Sequence, residues 1–164
     1  ADIGTGTGAI ALSVLHHTEG TRADAVDISP AAAAVAAEKA ATLGLTERIE
    51  VLTGDLTAPL FGRSYAMILS NPPYIPSADV KTLMEDVQAY EPHLALDGGA
   101  DGLAVYRRHL RDAPDLLTEG GVLAVGVHEA ADVAALMAAH PRIVRTKTLR
   151  DLAGIERVVV GETI

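Results

Sequence analysis

Short apolar runs ending on Gly, Asp or Asn-Pro-Pro alternate along this chain with segments of helical length, and this alternation restricts the fold more than any other feature. Ala1-Asp2-Ile3 runs into Gly4-Thr5-Gly6-Thr7-Gly8, and a helix is expected over residues 9–17. Residues 22–27 read as a second strand. Ser29 then stands as N-cap with Pro30 at the first helical position, and an Ala-rich helix runs to Leu43 before Gly44. Strands are expected again at 49–52, ending on Gly54-Asp55, and at 65–69, ending on Ser70-Asn71-Pro72-Pro73-Tyr74. A short helix over 80–87, a long loop to Gly102 and a helix over 103–117 follow. After Gly120-Gly121 come a strand over 122–127 and a helix over 130–139. Two closing strands, 143–149 and 156–161, lie near enough to pair antiparallel. Strands separated by helices give a mostly parallel sheet covered on both faces, because a parallel return needs a crossover.

Composition narrows the partners. The 164 residues suffice for one domain with a sizeable core, and with 3% aromatics that core must be aliphatic. The absence of cysteine excludes disulfides and thiolate metal sites. No apolar run reaches the roughly 20 residues a bilayer span needs, and no basic-then-apolar leader is present, so a cytoplasmic protein without a membrane partner is expected. Net charge is −9 and the 13 basic residues are scattered, which disfavours a nucleic-acid partner. His16 and His17 are adjacent and point apart on a helix, and no spaced ligand pair completes them, so no metal is expected. Asp79, Glu85, Asp86 and Glu91 read as a solvated face rather than a glycosidase pair. Ser70 lacks the surroundings of a hydrolase nucleophile.

In a parallel sheet, ligands bind at the carboxyl ends of the strands, and four suggestive tips fall there in a row. Gly4 to Gly8 permit a tight turn and close approach to a ligand, with the positive end of the next helix behind them. Asp27, about 20 residues on, suits two ribose hydroxyls, since Ser29 already serves as the cap. Asp55, followed by Leu56, suits the exocyclic amine of an adenine, although Gly-Asp is equally common turn chemistry. These three tips fit a dehydrogenase and a methyltransferase alike.

The fourth tip separates them. Two successive prolines donate no backbone hydrogen bond and hold the chain extended, which fixes the direction of their carbonyls. The Asn71 side-chain oxygen and the Pro72 carbonyl can then accept both hydrogens of one planar NH₂ group, with Tyr74 lying across its plane. Hydride transfer has no use for such a receptacle. Methylation of a planar nitrogen does, because its delocalised lone pair must be held in line with a methyl donor.

With the tips in this order, the chain resembles the class I S-adenosylmethionine-dependent methyltransferases, and more closely the HemK-type protein-glutamine methyltransferases. "DIGTGTGAIAL", "AVDIS", "GDL", "SNPPYI", "YEPHLAL", "DGL" with "YR" after it, and "RDLAGIERVVVG" carry the resemblance across essentially the whole chain. NPPY alone is shared with adenine-N6 DNA methyltransferases and several RNA methyltransferases. The resemblance implies a Rossmann-like seven-stranded sheet with a C-terminal antiparallel hairpin, and S-adenosylmethionine as cofactor. The substrate it implies is the glutamine of the Gly-Gly-Gln loop of a peptide-chain release factor. It places Gly4, Thr5, Gly6, Thr7 and Gly8 at the methionine moiety, Asp27 at the ribose, and Asp55 and Leu56 at the adenine, with Ile28 also a cofactor-binding residue. Asn71, Pro72, Pro73 and Tyr74 hold the amide, with Asn71 also beside the cofactor, and Glu91 and Pro92 shape the neighbouring loop. Two further expectations concern the start of the sequence: a truncated first strand and no N-terminal helical docking domain. Gly126 stands where the family usually carries a Glu. Two rival readings remain at this point: a nucleic-acid amine methyltransferase using the same tip, and a fragment that binds cofactor or protein without turnover.

Overall fold

The computed structural model describes residues 1–80 and 93–164. Its strands are β1 (Asp2–Ile3), β2 (Ala23–Asp27), β3 (Ile49–Thr53), β4 (Tyr65–Ser70), β5 (Leu117–Gly126), β6 (Ile143–Arg150) and β7 (Glu156–Thr163). Its helices are α1 (Ala9–His17), α2 (Pro30–Thr42), the single turns α3 (Ser77–Val80) and α4 (His93–Leu96), α5 (Ala104–Asp112) and α6 (Ala130–Ala138). The strands form one seven-stranded sheet in the order β3-β2-β1-β4-β5-β7-β6. Neighbours from β3 to β5 are parallel, and β7 runs antiparallel to both β5 and β6. This is the mostly parallel sheet with a closing antiparallel hairpin expected from the sequence.

Packing follows from the aliphatic composition. Ile3, Val26, Ile68, Leu123, Val125 and Val159, on successive strands, are wholly buried in one core cluster. On α2, Ala33, Ala36 and Ala40 face inward at helical spacing, and Ala40 joins Leu12, Leu15 and Leu45 in a second cluster beneath α1. Ser29 caps α2 as expected, its hydroxyl accepting from the Ala32 N–H at 3.3 Å.

Several boundaries moved for local reasons. The expected helix over 103–117 stops at Asp112 and tightens into a 3₁₀ turn at Ala113–Leu116, where Pro114 removes a backbone donor. The strand expected from 122 begins at Leu117. Gly120-Gly121 marks an irregularity inside β5 rather than its start: Tyr65 pairs with Leu117 while Met67 pairs with Val122. β1 has two residues, and the Leu69 N–H donates to the Ala1 carbonyl at 2.8 Å to extend its pairing with β4. The helix expected over 80–87 and the residues Glu91 and Pro92 lie outside the described residues, apart from Val80 at the end of α3.

Candidate functional site

Sheet order brings the four tips together. Adjacent strands β3, β2, β1 and β4 present Gly54-Asp55, Asp27, Gly4 to Gly8 and Asn71 to Tyr74 at one edge. Gly4 and Gly6 adopt φ of 72° and 56°, a region other residues rarely enter, and a β-carbon on either would meet open space. The loop therefore owes its glycines to its turn and leaves room above itself. The Gly4 and Thr5 N–H groups both donate to the Val26 carbonyl, at 2.8 and 2.9 Å, which moors the loop to β2.

Asp27 bridges two tips. One carboxylate oxygen accepts from the Gly6 N–H at 2.8 Å and the other from the Ser29 N–H at 2.9 Å. A carboxylate offers about four acceptor positions, so the half-buried group keeps capacity for two hydroxyls. Ile28 beside it is 51% exposed. At the next tip the Gly54 N–H donates to the Asp27 carbonyl at 2.9 Å. Leu56 holds a left-handed φ of 48°, an unusual conformation for a branched residue. One Asp55 oxygen is engaged by the Arg108 guanidinium from α5, and both side chains are about half exposed.

Asp2 escaped the sequence reading. It is 1% exposed, and one oxygen accepts from the Thr5 hydroxyl at 2.6 Å and from the Ala11 N–H at 3.1 Å. Asp2 thereby takes a helix-terminal donor of α1 that the sequence reading left to a ligand. Its other oxygen is buried with no hydrogen-bond partner, and burial pushes its pKa up. An acid inside an apolar strand, immediately before a Gly-x-Gly loop, was the available signal.

The diproline tip is built against a second loop. The Ile75 N–H donates to the Leu96 carbonyl at 3.0 Å, and the Gly98 N–H returns to the Ile75 carbonyl at 2.8 Å. A β-carbon on Gly98 would lie 2.8 Å from Tyr74 Cα, and one on Gly102 would lie 2.5 Å from the Tyr74 carbonyl oxygen. Only glycine allows this approach, so the expected long functional loop is a buttress for Tyr74. Arg107 fastens its far end through Asp101 at 2.6 Å, holding that carboxyl down to about 2.

Beside the tip opens a cavity of about 790 Å³, lined among others by Asn71, Tyr74, Tyr106, Val127 and His128. Asn71 makes no side-chain hydrogen bond among the described residues, while Pro72 beneath it is buried. Tyr106, almost wholly buried on α5, donates its hydroxyl to the Gly126 carbonyl at 2.7 Å, and burial raises its pKa. Sequence reasoning gave no site role to Tyr106, noted only as the Tyr of the YR pair after DGL, or to His128, which belongs to no motif it used. Among the described residues there is no cluster of metal ligands, and no helix is long and apolar enough to cross a membrane.

A glycine loop on the first strand, a carboxylate on the second and a diproline tip on the fourth meet at the point where the chain reverses direction in the sheet, the place where open α/β sheets bind ligands. The chain belongs to the Methyltransferase small domain family, whose model matches residues 1–100. It is 44% identical over 161 residues to the release factor glutamine methyltransferase of Gloeobacter violaceus, covering 97% of this chain and 56% of that protein. It is 46% identical over 122 residues to the ribosomal protein uL3 glutamine methyltransferase of Bradyrhizobium diazoefficiens, covering 74% and 38%. A 16S rRNA methyltransferase of T. thermophilus, solved with AdoMet and guanosine, shares the fold at a TM-score of 0.70 and 19% identity, over 99% of this chain and 36% of that one. The chain thus spans about half the length of the release-factor relative that it matches.

Proposed function

We propose that the chain transfers a methyl group from S-adenosylmethionine to the side-chain amide nitrogen of the glutamine in the Gly-Gly-Gln loop of a peptide-chain release factor. The observation that carries this reading is the Asn71-to-Tyr74 tip, buttressed against Gly98 and Gly102 and opening onto a cavity large enough for a peptide loop. Two relatives named as glutamine methyltransferases, acting on different proteins, support the amide as the acceptor class. A release-factor substrate implies activity in the cytoplasm.

The tips of β1 to β3 fit the cofactor. The partnerless Asp2 oxygen is a buried acceptor that an ammonium or its bound water would satisfy, and Gly4 and Gly6 leave open space above the loop. Asp27 retains acceptor capacity for the ribose hydroxyls, and Asp55 keeps one oxygen clear of Arg108 for an adenine amine. Ile28 and Leu56 supply apolar surface at the same tips. When bound, S-adenosylmethionine supplies an electrophilic methyl group on a sulfonium.

Asn71 and Tyr74 do the remainder. The Asn71 side-chain oxygen and the Pro72 carbonyl accept the two amide hydrogens and fix the NH₂ plane, while the Tyr74 ring covers it, with Pro73 holding the chain extended between them. Oriented carbonyl dipoles favour the positive charge that grows on nitrogen, and no strong base is needed before attack because the proton leaves afterwards. The test is methyl transfer from labelled cofactor to a release factor, beside its Gln→Ala loop mutant, a uL3-type protein, DNA and RNA. Label on the intact loop alone, lost with Asn71→Ala, is the expected result. Label on nucleic acid refutes the amide reading, and label on the ribosomal protein alone corrects the substrate.

A further inference from the structure

Past the amide tip, the carboxyl edge of the sheet continues through β5, β7 and β6. The β6–β7 turn lies at that same edge: Gly126 at the end of β5 pairs with Val158, and Arg150 at the end of β6 pairs with Glu156. Arg157, near the start of β7, lines the cavity, and its carbonyl accepts from the Val127 N–H at 2.9 Å. The turn therefore adjoins the cavity on the side away from the cofactor tips. It belongs to "RDLAGIERVVVG", a stretch for which neither cofactor nor amide chemistry has a use. Its shape is closely determined. One Asp151 oxygen accepts from the Ala153 and Ile155 N–H groups at 2.9 and 3.0 Å, and the other from Arg157 Nε at 3.4 Å. The Asp151 N–H donates to the Ile155 carbonyl at 2.8 Å, and the Gly154 N–H to the Asp151 carbonyl at 3.0 Å. What this fixed turn presents to water is apolar: Leu152 is wholly exposed and Ile155 is 48% exposed.

We propose that the β6–β7 turn is a docking surface for the protein substrate, with Leu152 and Ile155 resting on an apolar patch beside the loop that carries the target glutamine. The proposal deepens the release-factor reading and takes its partner from it. A Gly-Gly-Gln loop has one side chain in three residues, too little to tell one protein from another, so selection needs surface beyond the cavity. The place of the turn suits that task. A protein whose loop enters at β4 has the cofactor-fitting tips of β1 to β3 on one side, which leaves the β5-β7-β6 side for its body. The chemistry of the turn points to a protein as well. Nucleic acid needs free cations, yet Arg150 pairs with Glu156 and Arg157 with Asp151, each at 3.4 Å. A second copy of the chain would add along β6, the outer strand, where Arg145, Lys147 and Arg150 set like charges against each other. An aliphatic patch on a folded partner meets neither obstacle, and a turn held in shape beforehand loses little freedom on contact.

A double variant, Leu152→Ser with Ile155→Ser, and the single variant Leu152→Met test it on a folded release factor and on a short Gly-Gly-Gln peptide. The bonds that shape the turn use Asp151, Arg157 and the backbone, so the serines leave them in place. In the double variant KM for the release factor should rise at least ~10-fold. KM and kcat for the peptide, and affinity for S-adenosylhomocysteine, should stay at parent values. Leu152→Met keeps an apolar tip and should behave as the parent. An unchanged KM for the release factor overturns the proposal. Equal losses on peptide and protein overturn it too, since the turn would then be a prop for the cavity. Dimers of the parent chain that the serines split, or bound nucleic acid that they release, with KM unmoved, overturn it in favour of another occupant. Direct binding of the release factor to the chain loaded with S-adenosylhomocysteine separates the two readings. Binding that the serines weaken, without methyl transfer by the parent, sinks the amide chemistry and leaves the docking surface standing. A methylated peptide beside a release factor that stays unbound overturns the docking surface and keeps the chemistry.

Discussion

Lowering the pH should loosen this protein through one side chain that lies outside the chemistry. His109 is on the inner face of α5 with Tyr106 and Leu110, has no exposed surface, and offers two ring nitrogens that find no hydrogen-bond partner. Burial lowers its pKa from 6.5 to about 4, opposed weakly by the Asp112 carboxylate, whose own pKa is depressed by its pairing with Arg111. The unfolded chain therefore binds a proton between pH 6.5 and 4 that the folded chain refuses, and stability rises with pH across that window. The stabilising increment is fully present above pH 6.5 and is lost as pH falls through 4. At pH 4.5 the loss relative to neutral pH is about 2–3 kcal/mol, since each tenfold preference of the proton for the unfolded chain is worth about 1.4 kcal/mol. That is a large share of the roughly 5–15 kcal/mol by which domains are stable.

The assay is urea unfolding of the parent chain and of His109→Phe at pH 7 and pH 4.5. The ring-for-ring change removes the titration and a partnerless polar group together, so the variant should be near-neutral or slightly more stable at pH 7. Between the two pH values it should lose about 2–3 kcal/mol less than the parent. A functional echo is expected as well, because α5 also carries Tyr106, which supports the cavity wall, and Arg108, which engages Asp55. Cofactor affinity should weaken with acid in the parent before global unfolding, and less in the variant. Equal pH slopes for the two proteins would refute the reasoning, since no other group in the pair of samples differs.

Other perturbations divide the site into its halves. Asp2→Asn removes the charge but keeps an acceptor for Thr5 and Ala11, and calorimetry should show S-adenosylhomocysteine affinity lower by about 1.5–3 kcal/mol, the worth of a hydrogen bond to a charged group. Gly102→Ala drives a β-carbon onto the Tyr74 carbonyl at a φ of 74°, so methyl transfer should collapse while cofactor affinity holds, with a stability cost of about 1–3 kcal/mol in thermal unfolding. Arg108→Ala breaks a half-exposed ion pair and should change cofactor affinity less than about 5-fold, an effect that shrinks further in high salt.

What could be read from the sequence was what local chemistry decides. The strand tips stood out because Gly4 to Gly8, Asp27 and Pro72-Pro73 impose their geometry on the residues beside them, and the sheet places them in a row as expected. The start of β5 was not legible. A Gly-Gly pair breaks the hydrophobic pattern, and only the register against β4 shows that the strand continues through it. Asp2 looked like a strand residue because its role appears when Thr5 and the first turn of α1 fold back onto it. The loop at Gly98 to Gly102 read as a place for function. Its support of Tyr74 is a contact between separate segments that no periodicity encodes.

Why the site falls where it does follows from how the two halves of the sheet meet. The chain winds from β1 through β2 to β3 in one direction and from β4 to β5 in the other, so the crevice opens between β1 and β4. On the proposed reading, the groups that fit the cofactor lie on the first side and those that accept the amide on the second. The distance between donor and acceptor is thus set by the pairing of β1 with β4, in which Asp2 faces Leu69 and Ile3 faces Ser70. A side chain reinforces this pairing: the Ser70 hydroxyl donates to the Ile3 carbonyl at 2.7 Å, inside the core. Ser70 is then a hinge pin rather than a nucleophile. Its loss would leave each half-site intact while freeing one to slide against the other, a fault that shows in kcat before it shows in either binding constant.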